Sequence, residues 1–339
     1  MSAIEHQASP VKPSLTASLM AGFDAITNHL ELVLFPLILD LWLWLGPHLR
    51  MKSLVERILS QMGALPGMVS PDAAQALEFS RELWLLVAER LNLFSTLRSY
   101  PVGISSLMAS RQPISSPLLR LASWEVSSIE GVLGWWLLLT LVGIAVGSLY
   151  YLLVAQASLS GKVDWRSVLS QLPWTMLQVL YLSVFVYGLI LAISLPGSCL
   201  ISVSSLGGLP VAQFTILLFG ALALWVLFPL LFSAHGIFTF QYKMWTSVRQ
   251  GARLTRLTLP KTSLLFLSII IISEGLDTLW RVPAEDSWLT LVGVMGHAFV
   301  TTGLLAASFI YYRDASRWVQ RLIQQSLLVE SKHLRERIT

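Results

Sequence analysis

Long apolar runs separated by short polar stretches dominate the chain. Residues 131–155, 177–195, 211–234, 262–280 and 289–312 each approach or exceed the length of about 20 apolar residues that carries a helix across about 30 Å of hydrocarbon. A sixth run, residues 30–49, qualifies although it contains Glu31, Pro36 and Asp40. Pro36 removes a backbone donor, so a kink is expected there. Trp42, Trp44, Trp135, Trp136, Trp174, Trp280, Trp288, Tyr311 and Tyr312 lie near run ends, where aromatic rings favour the headgroup level. The pattern predicts an all-α, polytopic helical membrane protein. It should have about six transmembrane helices, interfacial amphipathic helices and a helical extramembrane insertion at residues 50–130.

Composition agrees. Of the 339 residues 55% are hydrophobic and 12% charged, against about 25% charged in soluble domains. Disorder, a nucleic-acid module and an ordinary cytosolic enzyme are excluded, and the bilayer is the first partner. The single Cys199 excludes an internal disulfide framework and a cysteine-rich metal site.

The net charge of +4 is explained by topology. With both termini cytoplasmic, 14 of the 23 Lys and Arg fall in inner segments: at Lys12, around Lys162, between Lys243 and Lys261, and in a basic tail at residues 313–339. The outer stretch 196–210 has none, and the loop 281–287 has only Arg281. The exception is the first span, which Arg50, Lys52 and Arg57 follow directly; it reads alternatively as re-entrant. Residues 1–14 contain Glu5, Pro10 and Pro13 and lack the basic start and apolar core of a cleavable signal, so the first span is expected to act as an uncleaved anchor. The expected location is a multi-pass protein of the cell membrane, in a bacterium the plasma membrane.

An amphipathic stretch precedes each odd-numbered span, at residues 15–29, 159–174 and 242–261. In the third, Trp245, Val248, Ala252, Thr255 and Leu259 recur at helical spacing beside a basic stripe of Arg249, Arg253 and Arg256. That stripe suits a helix in the headgroup plane touching anionic lipid, and equally a cytoplasmic helix packed on the bundle. Three units, each a lead-in helix and two spans, suggest a repeat of the transporter kind.

The insertion has its own logic. Ser70-Pro71-Asp72 is an N-cap followed by a first-turn proline and acid, which starts a helix over residues 71–93. Leu77, Trp84 and Leu91 share one face, with Leu83, Leu86 and Val87 nearby. Glu78, Arg81, Glu82, Glu89 and Arg90 make the helix too charged to span, so its apolar face should rest on the bundle or on a protein partner around Trp84. Residues 51–62 predict a shorter companion, and residues 99–117 a loop.

Ionisable groups within spans are costly and mark function by default. Asp40, Glu274, Asp277 and His297 fall at similar depth and are candidates for a polar cluster serving a proton relay, an ion or a metal. The plainer alternative has Asp277 reaching the interface, Asp40 bonding to a neighbouring helix, and Glu274 pairing with His297. His235 and Gln241 read as structural hydrogen bonders. Gly143 and Gly147, and Gly293, Gly296, Gly303 and Ala307, provide small faces for close packing. Arg313, Arg317 and Arg321 form a positive-inside anchor with anionic-lipid contact as an addition. No P-loop, H-E-x-x-H, G-x-S-x-G or C-x-x-C motif occurs, so no catalytic residue, cofactor or metal ligand is assigned.

The segments MAGFDAITNHLELVLFPLILD at residues 20–40 and VRQGARLTRLTLPKTSLLFL at residues 248–267 resemble, in layout, a loose group of bacterial polytopic membrane domains. That group includes the domain ahead of some glycerophosphodiester phosphodiesterases. The resemblance implies a helical membrane domain and carries over no activity, since the catalytic domain is not in the chain. The sequence-level expectation is a non-enzymatic scaffold, assembly factor or subunit of a membrane complex. The alternative is a transporter or permease-type subunit using the polar cluster.

Overall fold

Helix dominates the computed structural model, which describes residues 13–62, 71–118, 122–205 and 208–338. The readings placed on residues 1–12 and on the Ser70 cap lie outside them. The elements are α1 (Leu15–Thr27), α2 (Leu34–Leu45), β1 (His48–Arg50), α3 (Lys52–Met62), α4 (Pro71–Arg90), α5 (Leu107–Arg111), β2 (Ser123–Glu125), α6 (Ile129–Ser160), α7 (Trp165–Ser205), α8 (Leu209–Leu227), α9 (His235–Phe240), α10 (Met244–Leu257), α11 (Leu259–Trp280) and α12 (Thr290–Ile338). Short 3-10 turns cover Leu30–Val33, Leu93–Leu97 and Phe228–Leu230.

Among the described residues five helices are long and apolar enough to cross a membrane: Ile129–Ser160, Trp165–Ser204, Pro210–Phe240, Leu259–Trp280 and Thr290–Gln325. Their surfaces need lipid. Leu217 is 71% exposed and Trp225 73% exposed, a degree of apolar exposure along whole helices that water does not tolerate. The protein is an all-α integral membrane protein.

The first expected span differs. α1 and the helical stretch Leu30–Leu45 meet at 93°, and α2 has 12 residues, about 18 Å at 1.5 Å per residue, short of a crossing on its own. Pro36 does not make the bend. It sits in the first turn of α2, where its missing donor has no helical partner to lose. The break falls before it, at Asn28 and His29.

The threefold repeat is uneven for a similar reason. The second lead-in does not stand apart: Trp165–Trp174 is continuous with the span in α7, which runs through Pro173 and Pro196 to Ser205 and so absorbs most of the expected 196–210 loop. The third is a separate helix, α10, and α11 begins two residues after it ends.

Two compact units are distinguished: one of residues 1–28, 152–269 and 303–339, the other of residues 29–151 and 270–302. In the first unit Phe232, Leu254, Leu265, Tyr311, Tyr312, Ala315 and Val319 form a buried cluster. α10 buries Ser247, Val248, Gly251, Leu254 and Thr255, with Gly251 against the Phe232 backbone. That face thus packs on its own chain, while Trp245, Arg249, Arg253 and Arg256 stay exposed.

In the second unit the insertion is built, not loose. β1 and β2 pair in parallel, His48 with Ser123, Leu49 with Trp124 and Arg50 with Glu125. α3 and α4 pack together. Residues Asn92, Leu93, Phe94, Val102, Ile104, Leu107 and Met108 are buried. A Cβ on Gly143 would lie 2.5 Å from the Leu97 carbonyl oxygen, and one on Gly147 would lie 3.1 Å from the Gly103 Cα. Gly143 is 14 residues into α6, about 21 Å along its axis. The stretch around Leu97–Gly103 therefore runs against α6 at these two positions, and the two glycines make room for its backbone. Of the two supports expected for α4, the bundle is not the one used: within the chain its apolar face is bare, with Phe79 61% and Trp84 56% exposed.

Candidate functional site

The site lies in the second unit and is organised by three buried ionisable side chains: Asp40, Asp277 and His297. α2 turns Leu39, Asp40, Leu43 and Trp44 inward at i, i+1, i+4 and i+5 spacing, one stripe of a helix. Apolar neighbours thus bring the carboxylate of Asp40 in with them, and it is 0% exposed.

Asp40 finds its partners in the insertion. Ser106 Oγ donates to Oδ1 at 2.5 Å, the Met108 N–H to Oδ1 at 2.9 Å and the Leu107 N–H to Oδ2 at 3.1 Å. Ser106 is also the N-cap of α5, accepting from the Ala109 N–H at 2.9 Å. The first turn of α5 has donors without helical acceptors, and a carboxylate answers them with charge-assisted bonds.

His297, on α12 and 3% exposed, faces Asp277 of α11, 5% exposed. His297 Nδ1 lies 2.7 Å from Asp277 Oδ1. An ionised carboxylate only accepts, so it keeps the neutral imidazole's hydrogen on Nδ1. Nε2 is buried and has no hydrogen-bond partner among the described residues, while Asp40 lies within electrostatic reach of the same ring. Trp280 stands edge-on to the imidazole at 6.1 Å between centroids. That indole fits because Gly293 and Gly296 lack side chains; a Cβ on Gly296 would come 2.8 Å from Trp280 Cε2.

Of the four residues singled out, the structure brings together Asp40, Asp277 and His297 and leaves out Glu274. Its side chain is exposed, three residues before Asp277 on α11, and stands about 60° round the helix from it. The pairing of Glu274 with His297 is therefore corrected to Asp277 with His297, and Asp277 is buried where it was expected to reach the interface.

The network extends through residues that sequence reasoning missed. Arg281 Nη2 is 3.7 Å from Asp277 Oδ2 and donates to Ser110 Oγ at 2.8 Å. Arg111 donates to the Pro283 carbonyl at 2.6 Å and lies 3.6 Å from Glu285 Oε1. Glu285 Oε2 accepts from the Ile114 N–H at 2.9 Å, and its backbone carbonyl accepts from Trp44 Nε1 at 2.7 Å. Ser106 was missed as well, since nothing local ties it to an acid 66 residues away.

The remaining residues singled out are structural in their contacts. His235 Nε2 bonds Ser308 Oγ at 2.9 Å, and Gln241 ends α9 in the left-handed region at φ 53°. Arg249 lies 5.2 Å over the Trp245 ring, a cation–π contact. Among the described residues no three His, Cys, Asp or Glu side chains are placed to hold a metal ion.

The fold and site define an integral membrane protein with a buried Asp–His pair and an insertion held by the buried carboxylate of Asp40. Comparison with known families, curated proteins and solved structures gives no match.

Proposed function

We propose that the chain is a non-catalytic component of a membrane complex, a scaffold or assembly subunit, whose helices hold the insertion in place for a protein partner. The observation that carries this is Asp40. Both of its oxygens are occupied by three donors of Ser106–Met108, so this acid fastens the insertion instead of facing a pathway. Arg281 and Glu285 do the same at Ser110, Arg111 and Ile114.

The partner's place is α4. Phe79, Leu83, Trp84, Leu86 and Val87 are all exposed. The polar face carries Glu78, Glu82 and Glu89 against Arg81 and Arg90. Helices that lie on anionic lipid carry a basic polar face instead, so a protein is the better occupant.

A photo-crosslinker at position 84 of the full chain, activated in cells, tests it. The expected result is one discrete protein adduct that Leu83→Glu abolishes. Adducts to lipid alone, or an adduct indifferent to Leu83→Glu, overturn the reading.

One observation favours transport as the second reading: the buried, unpartnered His297 Nε2 near Asp40. Proton flux into vesicles carrying the purified chain, lost in His297→Phe, would establish it; equal flux in both proteins would exclude it.

A further inference from the structure

Arg313, Arg317 and Arg321 form one wall of a cavity of about 400 Å³ in the first unit, within the size range of small-ligand sites. The facing wall is the first half of α1. The two helices press together at Gly22, where a Cβ would come 2.5 Å from the Ala307 backbone nitrogen. The cavity occupies the space between them on the Ser14 and Arg321 side. The start of α1 is held by Lys261 Nζ, which donates to the Pro13 carbonyl at 3.1 Å.

Its lining is of two kinds. Ala17, Ala21, Ile310 and Trp318 are apolar, while the three arginines face a single acid, Asp314. Asp314 is occupied by Arg313 at 2.8 Å. Arg317 and Arg321 have no ion pair among the described residues. The position matters as well. No Asp, Glu, Lys or Arg occurs from Thr290 to Tyr312, and Arg313 is the first charge after that run. The cavity therefore sits where the hydrocarbon stretch of α12 ends, with apolar and cationic lining together. The exposed arginines of α10 differ: Arg249 lies over Trp245, and neither it nor Arg256 lines this cavity.

We propose that the cavity binds an anionic phospholipid, its phosphate held by Arg317 and Arg321 and its apolar portion against Ala21, Ile310 and Trp318. Guanidinium groups suit phosphate because their planar donors match its oxygens in pairs. The apolar lining selects a lipid over free phosphate.

The test uses the purified full chain in neutral detergent, titrated separately with dioleoyl phosphatidylglycerol, dioleoyl phosphatidylcholine and inorganic phosphate. Retention is read by native mass spectrometry and stabilisation by thermal unfolding. Phosphatidylglycerol alone should be retained and should raise the unfolding temperature. Arg317→Ala with Arg321→Ala should weaken its binding about 30-fold, the factor two basic residues near an anionic headgroup contribute together. Should that pair fail to fold, the exposed single variant Arg321→Ala should show about a fivefold loss. Arg249→Ala with Arg256→Ala, which removes the same charge elsewhere, should leave the affinity unchanged. Equal retention of phosphatidylcholine, an equal effect of inorganic phosphate, or an equal loss in the α10 pair overturns the proposal. These outcomes would mean, in turn, no headgroup selection, a free-anion site, and a general surface-charge effect.

Discussion

His297 Nδ1 and Asp277 Oδ1 lie 2.7 Å apart, both side chains buried, at the meeting of α11 and α12. A buried charged or charge-assisted pair is more sensitive to losing one member than to losing both. Removing one leaves an uncompensated polar group, at about 3–5 kcal/mol, whereas an apolar replacement of the pair is often close to neutral. His297→Phe alone should therefore lower stability by about 3 kcal/mol, and His297→Phe with Asp277→Leu by distinctly less. Unfolding of the single and double variants in one detergent measures the difference. Additive losses would show that the pair is not coupled.

Asp40→Ala should release the insertion. Three donors of Ser106–Met108 lose their acceptor, and each unmet buried donor costs about 1–3 kcal/mol. Hydrogen exchange at the Leu107 and Met108 amides should accelerate while exchange in α6 stays slow. Asp40→Asn keeps one acceptor oxygen and should lie between. Unchanged exchange in the alanine variant would mean that Asp40 does not hold α5.

Gly143→Ala should destabilise the fold, because its Cβ would lie 2.5 Å from the Leu97 carbonyl oxygen. Gly188→Ala, in α7, meets nothing within 4 Å and should be neutral or gain up to about 1 kcal/mol from helix propensity. Comparing the two unfolding temperatures separates close packing from propensity. Equal behaviour would place residues 97–103 away from α6.

A reporter fused after Ser205, at the end of α7, and one inserted at Gln250 in α10 should fall on opposite sides of the membrane, with Gln250 cytoplasmic. The basis is the cluster of Lys and Arg between Lys243 and Lys261 and its lack between Pro196 and Pro210. The same side for both would mean that Pro210–Phe240 does not cross.

Sequence reading succeeded on the five long apolar spans and on the membrane class. At the first span it left a crossing and a re-entrant element as alternatives; there α1 and the helical stretch Leu30–Leu45 form a pair bent at Asn28–His29, which counts as a broken span or as a re-entrant element. Hydropathy sums residues and is blind to a 93° bend. It read residues 99–117 as a loop and did not foresee what holds them: Asp40 and the bare faces of Gly143 and Gly147 are far away in sequence.

What the chain determines alone is local and additive: apolar length sets which segments enter lipid, since each residue's transfer free energy counts independently of its neighbours. The candidate acids and histidine were legible on the same ground, as charges at a costly depth. Which of them meet was decided only by tertiary structure. Glu274 and Asp277 differ by three positions and share a depth, yet only one faces His297. α11 is apolar nearly all round, so no stripe in its sequence marks an inner face. Hydrogen bonds are short and directional, and the rotation of α11 against α12, fixed by Trp280 on Gly293 and Gly296, selects the acid that pairs.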